Sequence, residues 1–149
     1  MSGVRFTLRC DGASRGNPGP AAVGVVIEDG DGRIVYGGGK CIGVTTNNVA
    51  EYMALITGLE WLAGVGAKHV EILVDSLLVA KQVEGAYKVK SQGLKPLHKR
   101  ATELLAGFAS ARVKHVPREA NSAADAFANE ALDGAPTDLQ GPESQPRLF

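Results

Sequence analysis

Cysteine and histidine are scarce in this chain of 149 residues, and their positions exclude two kinds of site. The two cysteines, Cys10 and Cys41, lie far apart and form no CxxC pair. We therefore expect two buried free thiols and no disulfide framework. The three histidines are scattered with no HxxxH spacing, which argues against a zinc site.

Long apolar runs and a net charge are lacking as well. No run reaches the ~18 residues that a membrane span needs, and the first residues contain no apolar signal-peptide core. The sequence thus predicts a cytoplasmic protein with no membrane partner, and a monomer, since no exposed apolar helix face is evident. Lys and Arg number 16, as do Asp and Glu, so any affinity for nucleic acid must come from a local group of charges.

Hydrophobic spacing predicts the element order β-β-β-α-β-α-α-β-α. Residues 4–10 alternate in polarity and predict a strand with Asp11 at its C-terminal end. The turn sequence DGDG at 29–32 joins the next two strands in a hairpin. Later strands are expected at 70–75 and 111–117, and helices at 47–64, 76–85, 96–108 and 121–133. The predicted helix caps are Asn47 or Asn48, Ser76 and Asn121.

This order indicates an α/β fold in one domain, residues 1–133. An antiparallel meander followed by β-α units predicts a five-stranded mixed sheet, with two parallel strands added to the meander and helices flanking it. Residues 134–149 have no periodicity and are rich in Pro, Gly and polar residues, so we expect an irregular tail.

Four acidic residues lie where strands end or helices begin. Asp11 and Asp75 end predicted strands, and Glu51 and Asp125 fall in predicted first turns of helices. Strand ends and helix starts can share one edge of an α/β sheet, and carboxylates gathered there would repel one another unless a cation such as Mg²⁺ lay between them. Each residue alone also fits a simpler role: the two strand-end aspartates as turn formers, Glu51 in a capping box with Asn48, and Asp125 beside the helix dipole.

The chain resembles type 1 ribonuclease H, in its compact branch that lacks the large basic protrusion. The matching segments, in family order, are DGASRGNPGP, TTNNVAEYMAL, VDSLLVAKQV and VPREANSAADAFANEAL. The resemblance runs from Val4 to about Leu132. It implies a ribonuclease H-like fold and an endonuclease that hydrolyses the RNA strand of RNA/DNA hybrids, leaving 5′-phosphate and 3′-hydroxyl ends.

The resemblance also implies a two-metal mechanism, with two Mg²⁺ ions and Mn²⁺ as an alternative ion. The metal ligands and catalytic carboxylates would be Asp11, Glu51, Asp75 and Asp125. The glycines after Asp11 would let the following loop approach a nucleic-acid backbone closely.

Several polar residues match nucleic-acid contacts of the family. These predicted contacts are Asn17, Thr46, Asn47, Asn48 and Ser76. Turn and cap roles are the alternative for the asparagines, and both roles can hold at once because a helix N-terminus is itself a phosphate site.

Residues 85–102, the basic segment, contain five cations and no acid: Lys88, Lys90, Lys95, Lys99 and Arg100. The segment resembles a shortened basic handle, and we predict that Lys88, Lys90 and Lys95 bind the duplex. A solvated helix face is the alternative. For Tyr87 we favour a buried ring over a contact with a sugar.

Two positions depart from the family pattern. Leu77 stands where many relatives carry an RNA-contacting glutamine. The loop before Asp125 lacks the mobile histidine that many relatives carry, and Arg118 is the only candidate for a catalytic role there. We interpret His115 as structural, and His69 and His98 as surface residues.

Two other functions fit the fold: a non-catalytic hybrid-binding module, and a nuclease or recombination enzyme acting on DNA. A non-catalytic module would be expected to lose at least one of the four carboxylates, and this sequence keeps them all. The DGASRGNPG and NNVAEY segments favour the hybrid-specific nuclease over the DNA enzyme.

Overall fold

A computed structural model of the chain describes residues 5–134. The strands are β1 (Arg5–Ser14), β2 (Gly19–Asp29), β3 (Ile34–Thr45), β4 (His69–Val74) and β5 (Ser110–His115). The helices are α1 (Asn47–Gly64), α2 (Leu77–Val83), α3 (Lys95–Ala106) and α4 (Ser122–Leu132), and a 3₁₀ turn at Arg118–Asn121 precedes α4. The order matches the predicted one apart from this turn. The predicted tail lies outside the described residues except for Gly134.

The strands form one mixed sheet in the order β3-β2-β1-β4-β5. β1, β2 and β3 are antiparallel neighbours, whereas β4 runs parallel to both β1 and β5. The predicted meander with two added parallel strands is therefore confirmed. This arrangement brings the C-terminal ends of β1 and β4 to the same edge.

The first strand is longer than predicted, so Asp11 lies within β1 and not at its end. Pairing with β2 continues as far as Ser14 opposite Ala21, whereas the parallel pairing with β4 stops at Arg9 opposite Leu73. The glycine and small polar residues after Asp11 signal a turn, but their backbone groups are satisfied by β2. Asp11 thus follows the point at which β1 and β4 separate.

Two of the predicted helix caps differ in the structure. Thr46, not an asparagine, caps α1, because its Oγ1 accepts a hydrogen bond from the Val49 amide at 3.3 Å. Glu51 consequently lies beyond the first turn, out of capping-box position. Asn121 precedes α4 without capping it, since its side chain donates to the Cys10 carbonyl at 2.7 Å instead. Ser76 caps α2 as predicted.

Helices cover both faces of the sheet. α1 to α3 bury the main core, with Leu8, Leu55 and Ile72 fully inaccessible. α4 packs on the opposite face of β2 and β3, where a Cβ on Gly24 would lie 1.9 Å from the Ala124 carbonyl oxygen. Close backbone contact therefore fixes α4 on the sheet. No helix within residues 5–134 is long and apolar enough to span a membrane.

Several side chains are placed differently from the prediction. Cys10 is buried, but Cys41 on edge strand β3 is exposed. Tyr87 is 47% exposed, because its segment lies outside the helices. His98 is half-buried, with Nε2 3.0 Å from the Gln82 carbonyl oxygen, and His115 is exposed at the end of β5.

Candidate active site

Three carboxylates meet at the edge where β1 and β4 separate. One oxygen each of Asp11, Glu51 and Asp75 lies within 4.8 Å of the others. They open into a cleft of about 460 Å³, which we call the acidic cleft. Its lining residues are Asp11, Gly12, Ala13, Ser14, Asn47, Glu51, Asp75, Ser76, Arg118, Asp125 and Asn129. All four predicted carboxylates and Arg118 therefore line one cleft.

Gly12 brings Asp11 and Glu51 together. A Cβ at this position would lie 2.1 Å from the Ala50 carbonyl carbon, so only glycine lets α1 approach β1 this closely. The Gly12 amide donates to Glu51 Oε1 at 2.5 Å. The predicted role of this glycine was close approach to a nucleic-acid backbone, but its tight contact in the structure is with α1.

Asp75 directly follows β4, and its neighbour Ser76 caps α2. Its Oδ2 is buried and has no hydrogen-bond partner among the described residues. An unpaired buried carboxylate oxygen is costly. The cost is offset if a cation binds the oxygen.

Burial and mutual repulsion raise the proton affinity of this cluster. Burial, followed by the charge of Glu51, raises the pKa of Asp11 to about 10. Burial raises the pKa of Glu51 to about 7, although the hydrogen bond from Gly12 opposes this shift. Burial also raises the pKa of Asp75, and the nearby Arg118 charge partly offsets it. Burial and mutual repulsion thus favour the uncharged forms of Asp11, Glu51 and Asp75, and a divalent ion bound between them would oppose this effect.

Asp125 reaches the cleft from α4, on the other face of the sheet from α1. Asn129, one turn later, donates from Nδ2 to Asp125 Oδ1 at 3.3 Å and to the Asp125 backbone oxygen at 3.0 Å. Asn129 was not among the site residues predicted from the sequence. Its i+4 spacing from Asp125 was the available signal.

Arg118 begins the 3₁₀ turn, which two hydrogen bonds fasten to β1. Asn121 donates to the Cys10 carbonyl, and Arg9 donates to the Ala120 carbonyl at 2.8 Å. Asn121 is fully buried. The backbone that carries Arg118 is thus held beside Asp11.

The predicted nucleic-acid contacts fall into two groups. Asn47 and Ser76 line the acidic cleft. Asn17 and Thr46 gather at the N-terminus of α1, where Asn17 Oδ1 accepts from the Asn47 amide at 2.9 Å and Thr46 caps the helix; Asn48 is exposed there. Of the turn and cap roles considered for the asparagines, Asn17 thus has a local one, whereas the cap is Thr46 and neither Asn47 nor Asn48.

The basic segment lies outside the cleft lining. Lys88 and Lys90 are exposed in the irregular stretch between α2 and α3, and Lys95 is exposed at the start of α3. Arg100 is 3.0 Å from Glu60 Oε2 in an exposed ion pair. The three lysines have no ion pair of this kind within residues 5–134.

Comparison with known proteins reveals close relatives. A family model described as reverse transcriptase-like matches residues 9–131. Ribonuclease HI of Halobacterium salinarum is 55% identical over 133 residues, which are 89% of this chain and 67% of that protein. A bifunctional protein of Mycobacterium tuberculosis is 42% identical over 133 residues, 89% of this chain and 36% of that protein. The chain thus spans about a third of the mycobacterial relative.

The solved structure of LC11-RNase H1 in complex with an RNA/DNA hybrid has the same architecture. Its TM-score is 0.81 and its identity 41%, over 87% of this chain and 97% of that chain. A TM-score of this size means that the two chains share one fold.

Proposed function

The chain belongs to the ribonuclease H family, and we propose that it is an endonuclease that hydrolyses the RNA strand of RNA/DNA hybrids. The products would carry 5′-phosphate and 3′-hydroxyl ends. The observation that carries this proposal is the meeting of Asp11, Glu51 and Asp75 oxygens within 4.8 Å at the edge of the sheet. The solved relative that holds a hybrid supports the substrate class.

We propose that the acidic cleft binds two divalent cations, Mg²⁺ with Mn²⁺ as an alternative. The donor set is made of carboxylate oxygens, which hard cations prefer, and Asp75 Oδ2 is a buried oxygen without a partner among the described residues. Asp11, Glu51, Asp75 and Asp125 would hold the ions. When bound, the ions supply an activated water and charge stabilisation for an in-line displacement at phosphorus.

Contacts within the protein position the proposed metal ligands, and the chemistry of Arg118 limits the role that it can take. The Gly12 amide donates to Glu51 Oε1 and so helps to hold this carboxylate beside Asp11. The Arg118 guanidinium offers hydrogen-bond donors and no acceptor, so it cannot serve as a base. Its guanidinium can donate to two phosphate oxygens at once, and we assign it this role in the transition state.

The hybrid would lie across the N-terminus of α1 and the basic segment. RNA differs from DNA at the 2′-hydroxyl, which small amide side chains and backbone groups can read at close range. Asn17, Asn47 and Asn48 supply such groups, and Thr46 and Ser76 add hydroxyl groups beside helix N-termini that favour phosphate. Lys88, Lys90 and Lys95 would contact phosphates farther along the duplex.

One experiment tests the proposal against its alternatives. Fluorescent RNA/DNA hybrid, DNA duplex and RNA duplex of one sequence are each incubated with Mg²⁺ or with EDTA. We expect the RNA strand of the hybrid to be cleaved internally in Mg²⁺ and to stay intact in EDTA. Binding without cleavage would indicate a non-catalytic module, and cleavage of the DNA duplex would indicate a DNA enzyme. The monomeric state and the cytoplasmic location stay predictions of the sequence.

A further inference from the structure

Asn129 lies in the acidic cleft without a role in the mechanism described above. It follows Asp125 by one helical turn and is half-buried. One amide nitrogen donates both to the Asp125 carboxylate at 3.3 Å and to its backbone carbonyl at 3.0 Å. The amide therefore holds one carboxylate oxygen of a proposed metal ligand.

Asp125 lies outside the group of three carboxylates whose oxygens meet most closely. Among the described residues, the group with oxygens within 4.8 Å comprises Asp11, Glu51 and Asp75 only. Glu51 is held by the Gly12 amide, whereas Asp125 approaches from a helix on the other face of the sheet. Asn129 supplies the hydrogen bond that limits rotation of its carboxylate.

The backbone of Asn129 is itself anchored. Arg15, in the loop after β1, donates from Nη2 to the Asn129 carbonyl at 3.4 Å and forms an ion pair with Asp133 at 2.7 Å. These contacts fasten the last turn of α4 to the loop that carries Asn17. The amide of Asn129 thus acts from a supported position.

We propose that Asn129 is a positioning residue that orients Asp125 for divalent-metal binding, an inference that rests on the proposed function. Side-chain groups behind a metal ligand fix its orientation, and their loss typically lowers metal affinity or activity by 10–100-fold. One oxygen of Asp125 is engaged by Asn129, which leaves the other for the cleft.

A purely local helix role is the competing explanation, and serine separates the two. Asn129→Ser keeps a hydroxyl that can donate to the carbonyl four residues earlier, but this short side chain cannot also hold the carboxylate. Asn129→Ala removes both bonds and favours the helix. If the carboxylate contact matters, serine behaves like alanine; if the backbone contact matters, serine behaves like wild type.

The test measures binding of Mn²⁺ alone, from the loss of the free-ion electron paramagnetic resonance signal, in the full chain. We expect both Asn129 variants to bind Mn²⁺ about tenfold more weakly than wild type. Glu130→Ala, an exposed neighbour on α4, is the matched control and should bind as wild type does. Thermal melts in EDTA check that each variant is folded.

Steady-state kinetics on one hybrid supplies the second readout. We expect kcat to fall about tenfold with KM within twofold, and higher Mn²⁺ to restore part of kcat. Unchanged Mn²⁺ affinity in folded Asn129→Ala would overturn the proposal, as would a serine variant equal to wild type or a rise in KM alone. A wild-type chain that binds Mn²⁺ but cleaves no hybrid would refute the proposed function while the Mn²⁺ measurement still decided the role of Asn129. A wild-type chain that binds no Mn²⁺ would overturn both.

Discussion

The carboxylates of the acidic cleft come from β1, α1, the end of β4 and α4, whereas the lysines of the basic segment lie within residues 88–95. Asp11 is only 6% exposed, and burial raises its pKa. The three lysines are exposed and lie outside the helices or at a helix start. The cleft therefore brings together carboxylates that repel one another in the absence of a cation. The lysines of the basic segment are separated along the chain, and water already stabilises their charges.

This difference predicts unequal sensitivity to mutation. In the proposed mechanism, each carboxylate of the cleft would act through the same ions, so we expect the loss of one to affect the whole site. In the segment, each lysine would contribute its own phosphate contact, which salt would screen.

The largest effect is expected from the cleft ligands. Asp11→Asn and Asp75→Asn should each lower hybrid cleavage by at least about 10³-fold, because several kcal/mol of charge stabilisation is lost. Initial rates in Mg²⁺ on a labelled hybrid measure this, with Asp31→Asn in the exposed hairpin turn as the control. Near-wild-type turnover in either cleft variant would reject the site assignment.

Arg118 combines features of the two regions: it is an exposed cation, like the lysines, but it lines the acidic cleft. We expect Arg118→Ala to lower kcat roughly 10–100-fold and to change KM less. Arg118→Lys should recover only part, because lysine cannot donate to two oxygens in the same planar arrangement. Arg112→Ala, exposed on β5, is the control. An unchanged kcat for Arg118→Ala would leave at most a surface ion pair, worth about 1 kcal/mol or less in stability.

The basic segment should respond through affinity. Replacing Lys88, Lys90 and Lys95 by glutamine should weaken hybrid binding and reduce the slope of log affinity against log salt by up to about 0.9 per lost contact. Turnover at saturating hybrid should change less. Fluorescence anisotropy over a salt series measures the affinity and its slope. The control is Lys68→Gln, an exposed residue just before β4. The same slope in the triple variant and wild type would return the segment to a solvated face.

The smallest effect is expected on stability. Asp11→Asn should stabilise the metal-free protein, although the same change should lower activity. Folding raises the pKa of Asp11 from 3.8 to about 10, so between these pH values the folded chain holds a proton that the unfolded chain has lost. The stability of the metal-free protein should therefore fall as pH rises through this window. Asp11→Asn should flatten the dependence and raise the Tm at pH 8 in EDTA, where ~1 kcal/mol corresponds to roughly 4 °C.

Thermal melts from pH 5 to pH 9 in EDTA test this sign, with Asp31→Asn as the control. Mg²⁺ should restore the wild-type Tm at pH 8 and affect the Asp11→Asn variant less. A lower Tm for Asp11→Asn at pH 8 in EDTA would show that the buried carboxyl stabilises the fold.

The element order could be predicted because it depends on local spacing. Apolar residues that repeat every two or every three to four positions predict a strand or a helix without knowledge of its neighbours. The Ser76 cap is equally local and was predicted correctly. The predicted length of β1 was wrong because β2, which follows later in the sequence, pairs with the backbone groups of residues that otherwise form turns.

The exposure of single side chains and the hydrogen bonds of helix caps were the least predictable features. Cys41 looks like a buried strand residue, yet it lies on edge strand β3, and the position of that strand is set by the whole sheet. The cap of α1 is Thr46, one residue before the expected asparagines, and this choice depends on where the preceding strand ends.

The sequence by itself determined the types and order of the elements and which carboxylates to compare, through periodicity and the family motifs. Tertiary structure decided that Asp11, Glu51 and Asp75 oxygens meet within 4.8 Å, that Gly12 permits the contact with α1, and that Asn129 holds Asp125. Periodicity arises from the geometry of one segment, whereas these contacts join residues from different elements or depend on side-chain rotamers. Their distances are set by close packing of the sheet and helices.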